Sequence, residues 1–303
     1  MGTHRFRPGF SRFVALLSLC IMAGPGCSAA TDGETSTAKL QKRLAELAES
    51  ARGRVGVAVV HVESGQSVLV NADEARPLYS VFKLPLAIVV LKDVQEKRLR
   101  LDEPVTVTRE ERSPGIASNT QRWAGAPMAV TIGQLLEYSL VESDNTASDK
   151  LMSLLGGPAE LTKRVSAMGF EGIDIRIFTR EMGKHAQHPN RGNAKALAAL
   201  LAGMQRGNVL TSSVRSVLFE LMTKSRTGIK RLRGALPVGI EAMDKSGTGP
   251  DGSAINDVGI ITLPGQRGHL AIAVLMSGSK LPASAQEEII AKIGRAAYDA
   301  YLR

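Results

Sequence analysis

Alternating apolar runs stand near both ends of this chain and thin out in its middle. "RVGVAVVHV" and "SVLV", separated by "ESGQ", read as a β-hairpin that begins at Arg54. "GIEAMDKSG", "NDVGIITLP" and "HLAIAVLMSG" read as three further strands close to the C-terminus. Residues from about 98 to 230 are patterned mostly for helices, with loops at "RSPGIASNTQRWAGAP" and "REMGKHAQHPNRGN". "AKLQKRLAELAESA" before the hairpin and "SAQEEIIAKIGRAAYDAYL" after the last strand space their apolar residues as amphipathic helices do. Strands from distant segments can share one sheet, with helices packed on its faces. The expected fold is therefore α/β and two-lobed. A five-stranded antiparallel sheet flanked by helices is built from about residues 38–97 and 231–303, and an all-helical lobe of about 98–230 is inserted between them. A cleft between two lobes is a common place for a ligand site.

The first 30 residues are patterned differently. Arg5, Arg7 and Arg12 precede the apolar run "FVALLSLCIMAG", and small residues follow in "PGCSAA". Basic, then apolar, then small is the order of a secretory signal peptide, and the apolar run is short for a membrane span. Both cysteines, Cys20 and Cys27, lie in or beside this segment, so cleavage after it leaves a protein without a disulfide. Cys27 is alternatively a lipid-attachment site, although "GPG" before it departs from the usual aliphatic pattern. Both readings place the protein outside the cytoplasm, periplasmic, secreted or lipid-anchored.

The chain has 303 residues, 44% of them hydrophobic, which is enough for one large domain with a substantial core. The formal net charge is +9, but three of those charges are the leader arginines and the rest are interleaved with Asp and Glu. Aromatic residues make up 4%. Without a basic stripe carrying stacking residues, nucleic-acid binding is not expected.

The segment "YSVFKLPLAIVVL", Tyr79 to Leu91, holds a hydroxyl and an amine at the head of an otherwise apolar helix. Residues three apart share a helix face, so Lys83 stands beside Ser80. A serine hydroxyl is a weak nucleophile until a neighbour takes its proton, and a desolvated lysine can do that. The helix N-terminus adds N–H groups and a positive dipole end suited to an oxyanion. The plain alternative is that Ser80 caps the helix and Lys83 reaches solvent.

Two further motifs sharpen the choice. "SDN", Ser143 to Asn145, ends the helical run "TIGQLLEYSLVE", and "KSG", Lys245 to Gly247, ends a strand. S-x-x-K, S-D-N and K-[ST]-G in this order form the signature of serine β-lactamases and penicillin-binding proteins. From about residue 38 to the end the sequence resembles the class A β-lactamase family, also in "LPLA", "SDNTA", "GGPAELT" and "LRGALP". The resemblance implies Ser80 as the acylated nucleophile and Lys83 as its proton partner. Ser143 is then the relay to the lactam nitrogen, and Asn145 binds the substrate's side-chain amide. Lys245 holds Ser143 and attracts the substrate carboxylate. Ser246 and Thr248 line the pocket, and the N–H groups of Ser80 and Thr248 form an oxyanion hole. It implies a monomer with no cofactor and a β-lactam substrate.

The sequence also departs from that family. The usual E-x-x-L-N loop motif is missing; "TREMGKHAQ" stands instead, with Glu181 at about the family's distance from Ser143. Glu181 is the expected deacylating base, kept ionised by Arg180, with His185 in place of the usual asparagine. Glu171 is an earlier alternative. The arginine expected after the K-S-G strand is also missing, and Arg231 is the expected substitute. Three readings stay open: a hydrolysing β-lactamase, a slowly deacylating penicillin-binding relative or D-alanyl peptidase/esterase, and a non-catalytic envelope binding protein. "GTGPDG" matches G-x-G-x-x-G but precedes a strand rather than a helix, so it reads as a hairpin turn. His185, His188 and Glu181 stand in a loop segment, and no metal is assigned to them.

Overall fold

The computed structural model describes Gly2 and residues 36–113, 121–184, 190–249, 252 and 254–302. The leader with Cys20 and Cys27, and the loop histidines His185 and His188, lie outside the described residues. No helix among the described residues is long and apolar enough to cross a membrane.

Helix α1 (Ser36–Ser50) leads into β1 (Arg54–His61) and β2 (Ser67–Val70). After a two-residue strand β3 (Arg76–Pro77), a 3-10 turn at Tyr79–Phe82 runs straight into α2 (Lys83–Gln95). A short ribbon, β4 (Pro104–Val107) with β5 (Met128–Thr131), precedes α3 (Ile132–Val141), α4 (Asn145–Leu154) and α5 (Pro158–Ala167). Two-residue strands β6 (Ile173–Asp174) and β7 (Arg191–Gly192) bracket the next loop, and α6 (Ala194–Arg206) and α7 (Ser212–Thr223) follow. The chain closes with β8 (Ala242–Thr248), β9 (Ile255–Thr262), β10 (His269–Ser277) and α8 (Ala283–Ala300).

The five long strands form one antiparallel sheet in the order β2-β1-β10-β9-β8, as the strand pattern of the two chain ends predicts. In β1 and β10 the two-residue period sends alternate residues to opposite faces. Val55, Val57, Val59, Leu270, Ile272, Val274 and Met276 face α1 and α8. Ala58, Ala271, Ala273 and Leu275 face the other way, where α6 packs on β1 and β10. Ala58 lies opposite Ala273 and Val57 opposite Val274, so pairing and face agree. The three alanines on that face let the alanine-rich α6 lie close to the sheet.

Helix α2 is buried on every side, with Leu84, Leu86, Ile88, Val89, Val90 and Leu91 inaccessible. It packs against α3, α4, α5 and α7, so a segment that precedes the insert in sequence forms the centre of the helical layer. Conversely α6, inside the stretch 98–230, packs under the sheet. The layers therefore interleave along the chain more than the sequence boundaries suggest. The β4–β5 ribbon also differs from the helical reading of that stretch: four-residue segments such as "PVTV" and "MAVT" are too short for their period to be read.

Candidate active site

The Tyr79–Phe82 turn and α2 place Ser80 one turn ahead of Lys83, whose backbone N–H bonds to the carbonyl of Ser80. Tyr79 has φ 46°, a left-handed value that a non-glycine residue adopts at a cost. Strand β8 presses on this turn: a Cβ added to Gly247 would lie 2.6 Å from the Leu78 carbonyl oxygen and 3.1 Å from the Val81 nitrogen. Only glycine allows that approach, and it brings the end of β8 to the turn that carries Ser80.

Lys83 does not reach solvent. It is wholly buried, and Nζ donates to the Ser143 carbonyl (2.5 Å), to Asn145 Oδ1 (2.7 Å) and to Ser143 Oγ (3.2 Å). Desolvation, and then the charge of Lys245, hold its pKa well below the usual lysine value, against the opposing pull of Asp144 and Asp149. Without its third proton, Lys83 keeps two N–H groups for the two short contacts, and its lone pair then faces the hydroxyl of the longer one, Ser143 Oγ.

Ser143 sits in the turn between α3 and α4 with φ 61°. Its Oγ also receives Lys245 Nζ at 3.1 Å, so one hydroxyl bridges two buried lysines. Lys245 Nζ donates as well to the Ser246 carbonyl at 3.0 Å. Burial lowers its pKa to about 8, with Arg231 adding to the shift and Asp244 and Asp257 opposing it. Ser246 Oγ donates to Thr227 Oγ1 at 2.8 Å.

Arg231 is buried rather than solvated. Nη1 donates to the carbonyls of Gly247 (3.0 Å) and Asn256 (2.9 Å), Nη2 to Thr248 Oγ1 (2.7 Å) and Nε to Glu287 (3.1 Å). Four of its five N–H groups are thus committed, and the guanidinium stands against the end of β8 next to Thr248. Asp257, buried beside Asp244, is pushed well above the usual carboxylate range by burial and by that neighbour's charge.

Residues 39–301, which hold all of these groups, match a β-lactamase enzyme family model. The chain belongs to the β-lactamase enzyme family. It is 32% identical to the extended-spectrum β-lactamase PER-1 of Pseudomonas aeruginosa, over 87% of this chain and 88% of that one. A β-lactamase structure from Chitinophaga pinensis superposes with a TM-score of 0.82 at 33% identity, covering 86% of this chain and 99% of that one. An ancestral class A β-lactamase gives a TM-score of 0.79 at 32% identity, covering 86% and 99%. The protein is a class A serine β-lactamase, and the non-catalytic reading falls away.

In this β-lactamase the loop between β6 and β7 carries Glu181. Glu181 Oε2 accepts the N–H of Phe178 at 3.0 Å. Arg180, expected to support Glu181, lies elsewhere: its guanidinium stacks on Phe178 at 3.8 Å and stands 3.6 Å from Asp149. Asp149 is buried and accepts the N–H groups of Thr179 (2.7 Å) and Arg180 (2.9 Å) and the hydroxyl of Ser113 (2.6 Å). At the loop's far side, buried Asn190 accepts from the N–H groups of Arg176 and Ile177 and donates to the Ile177 carbonyl. Sequence reading missed both residues, because their partners lie far along the chain and no local motif marks them. His185, expected near the water, falls outside the described residues.

Proposed function

We propose that Ser80 is the nucleophile of this β-lactamase, with Lys83, Ser143 and Lys245 as its proton chain and Glu181 as the base of the second half-reaction. The observation that carries the reading is the run of contacts from Lys83 Nζ through Ser143 Oγ to Lys245 Nζ, set one helical turn from Ser80. In acylation the Ser80 hydroxyl proton passes to the lone pair of Lys83 while Oγ bonds to the lactam carbonyl carbon. The oxyanion is taken by the N–H groups of Ser80 and Thr248, preorganised donors of the kind that contribute most to such steps. The C–N bond then breaks, its nitrogen takes the Ser143 proton, and Lys83 returns a proton to Ser143. Lys245, Ser246 and Thr248, backed by Arg231, receive the substrate carboxylate, and Asn145 the side-chain amide.

Deacylation needs an activated water, because an ester of Ser80 is otherwise stable. Glu181 takes one proton of the water as its oxygen bonds to the ester carbonyl carbon; the carbon–Oγ bond then breaks, and the proton held on Glu181 returns to Ser80 Oγ. Glu181 Oε1 is the oxygen not engaged by Phe178. That same contact favours one alternative, an enzyme that acylates fast and deacylates slowly or prefers D-alanyl peptides or esters. The enzyme acts as an exported monomer, soluble or held at Cys27 by a lipid, on the pattern of its leader.

Covalent labelling with a fluorescent penicillin tests the first half-reaction. Ser80→Ala is expected to lose all labelling and keep the parent's Tm, since one small hydroxyl contributes little to stability. A labelled Ser80→Ala protein would remove Ser80 from its role.

A further inference from the structure

Trp123 is the chain's only tryptophan and has no part in the reaction described above. It is nonetheless buried, with its indole N–H at 3.0 and 3.2 Å from the two oxygens of Asp144. Asp144 immediately follows Ser143, and its carboxylate also accepts the Ala147 N–H at 2.8 Å, which starts α4. Arg122 closes the other side: Nη1 lies 3.5 Å from Asp144, and Nη2 donates to both oxygens of Glu142 at 3.1 and 2.9 Å. Both residues rest on Tyr138 in α3. Arg122 lies over its ring at 3.7 Å, Trp123 meets it edge-on at 6.1 Å, and the Tyr138 carbonyl accepts the Asp144 N–H at 2.9 Å.

We propose that Trp123 and Arg122 are positioning residues for acylation: by clamping the Asp144 carboxylate they hold Ser143 in the strained turn that sets its hydroxyl between Lys83 and Lys245. The proposal rests on the reading of Ser143 as the proton relay. A left-handed φ of 61° at a serine persists only where the surroundings over-determine it. A buried carboxylate must be fully hydrogen-bonded, so its donors fix its place. Asp144 is joined by one peptide unit to the Ser143 carbonyl that receives Lys83 at 2.5 Å. Loss of a clamp donor therefore tilts the very group that orients Lys83 and the relay.

The clamp also has an electrostatic side. The charged groups facing Lys83 are Lys245 on β8, Asp144 in the turn and Asp149 on α4. Asp144 favours the protonated lysine, and Arg122 offsets the charge of Asp144. Removing Arg122 without replacing its charge therefore raises the Lys83 pKa. Protonated Lys83 cannot accept the Ser80 proton, so the acidic limb of acylation moves to higher pH.

Trp123→Phe deletes the indole N–H together with part of the ring volume and leaves a phenyl ring against Tyr138. Single-turnover acylation by benzylpenicillin is expected to slow about tenfold or more, with penicillin affinity unchanged, as small misplacements of reacting groups do. Arg122→Gln is expected to shift the acidic limb of the acylation rate upward, whereas Arg122→Lys, which keeps the charge, leaves it in place. Ser143→Ala is measured beside them. Slow Ser143→Ala with parent-like rates and limbs in Trp123→Phe and Arg122→Gln overturns the clamp alone, leaving Trp123 a packing residue that moves only Tm. Parent-like acylation in Ser143→Ala as well overturns the relay beneath it. Should Trp123→Phe fail to fold, the pH limbs of the two Arg122 variants decide.

Discussion

Lys245 shows how burial tunes a single group. With its pKa near 8, its ammonium is lost well below the 10.5 of a free lysine. In the proposed assignment that charge receives the substrate carboxylate, so KM for penicillins is expected to rise as pH passes about 8. Lys245→Arg, which stays charged, is expected to move this alkaline limb upward at some cost in rate, because a planar fork replaces a point charge. The same shift has a stability consequence. Between about 8 and 10.5 the unfolded chain binds more protons at this residue than the folded one, so its contribution to stability rises with pH across that window. Arg231→Ala separates binding from chemistry. It removes a buried group that ties Thr248 to Glu287, and it is expected to raise KM more than it lowers kcat. Loss of such a charge-assisted contact is worth about 1.5–3 kcal/mol, one to two decades in kcat/KM. Steady-state kinetics in which KM is unchanged would leave Lys245 as the sole carboxylate receptor.

Among the elements, the short segments around the site carry more than their length suggests. The loop of Glu181 is pinned by β6–β7 pairing at its neck, by Asp149 on one flank and by Asn190 on the other. Asn190→Ala leaves two N–H groups and a carbonyl without partners, which costs about 1–3 kcal/mol. Deacylation is expected to slow while acylation keeps its rate, as read by burst kinetics; equal slowing of both would separate the loop from the second step. The strand, turn and helix that carry the three motifs were legible in the sequence because each motif is local: Ser80 and Lys83 share one turn, and Ser143 to Asn145 are consecutive. The sheet was legible for the same reason, from its alternating runs. Asp149, Asn190 and Trp123 were not, since their partners stand 20 or more residues away or across the loop and depend on the folded layers. Arg180 was misread because sequence adjacency suggested Glu181 as its partner, whereas Asp149 offers a buried carboxylate within reach.

At the level of the whole molecule, the site exists only when distant thirds of the chain meet. Ser80 and Lys83 come from the segment after the first hairpin, Ser143 and Asn145 from the α3–α4 turn, and Lys245 from a strand formed late in the chain. One sheet built from both chain ends fixes the first and last of these, and α2, at the centre of the helical layer, fixes the middle. In the proposed reaction Ser80 is acylated and Glu181 then frees it. The direct measurement is an intact-mass time course after mixing with excess benzylpenicillin, with the adduct mapped by peptide digestion. The parent is expected to show a transient adduct on Ser80 while the penicillin is consumed. Glu181→Gln is expected to give a stoichiometric, persistent Ser80 adduct with turnover reduced by about two to four decades, the usual worth of general-base assistance. An adduct on any other residue, or a Glu181→Gln enzyme that turns over like the parent, would contradict it.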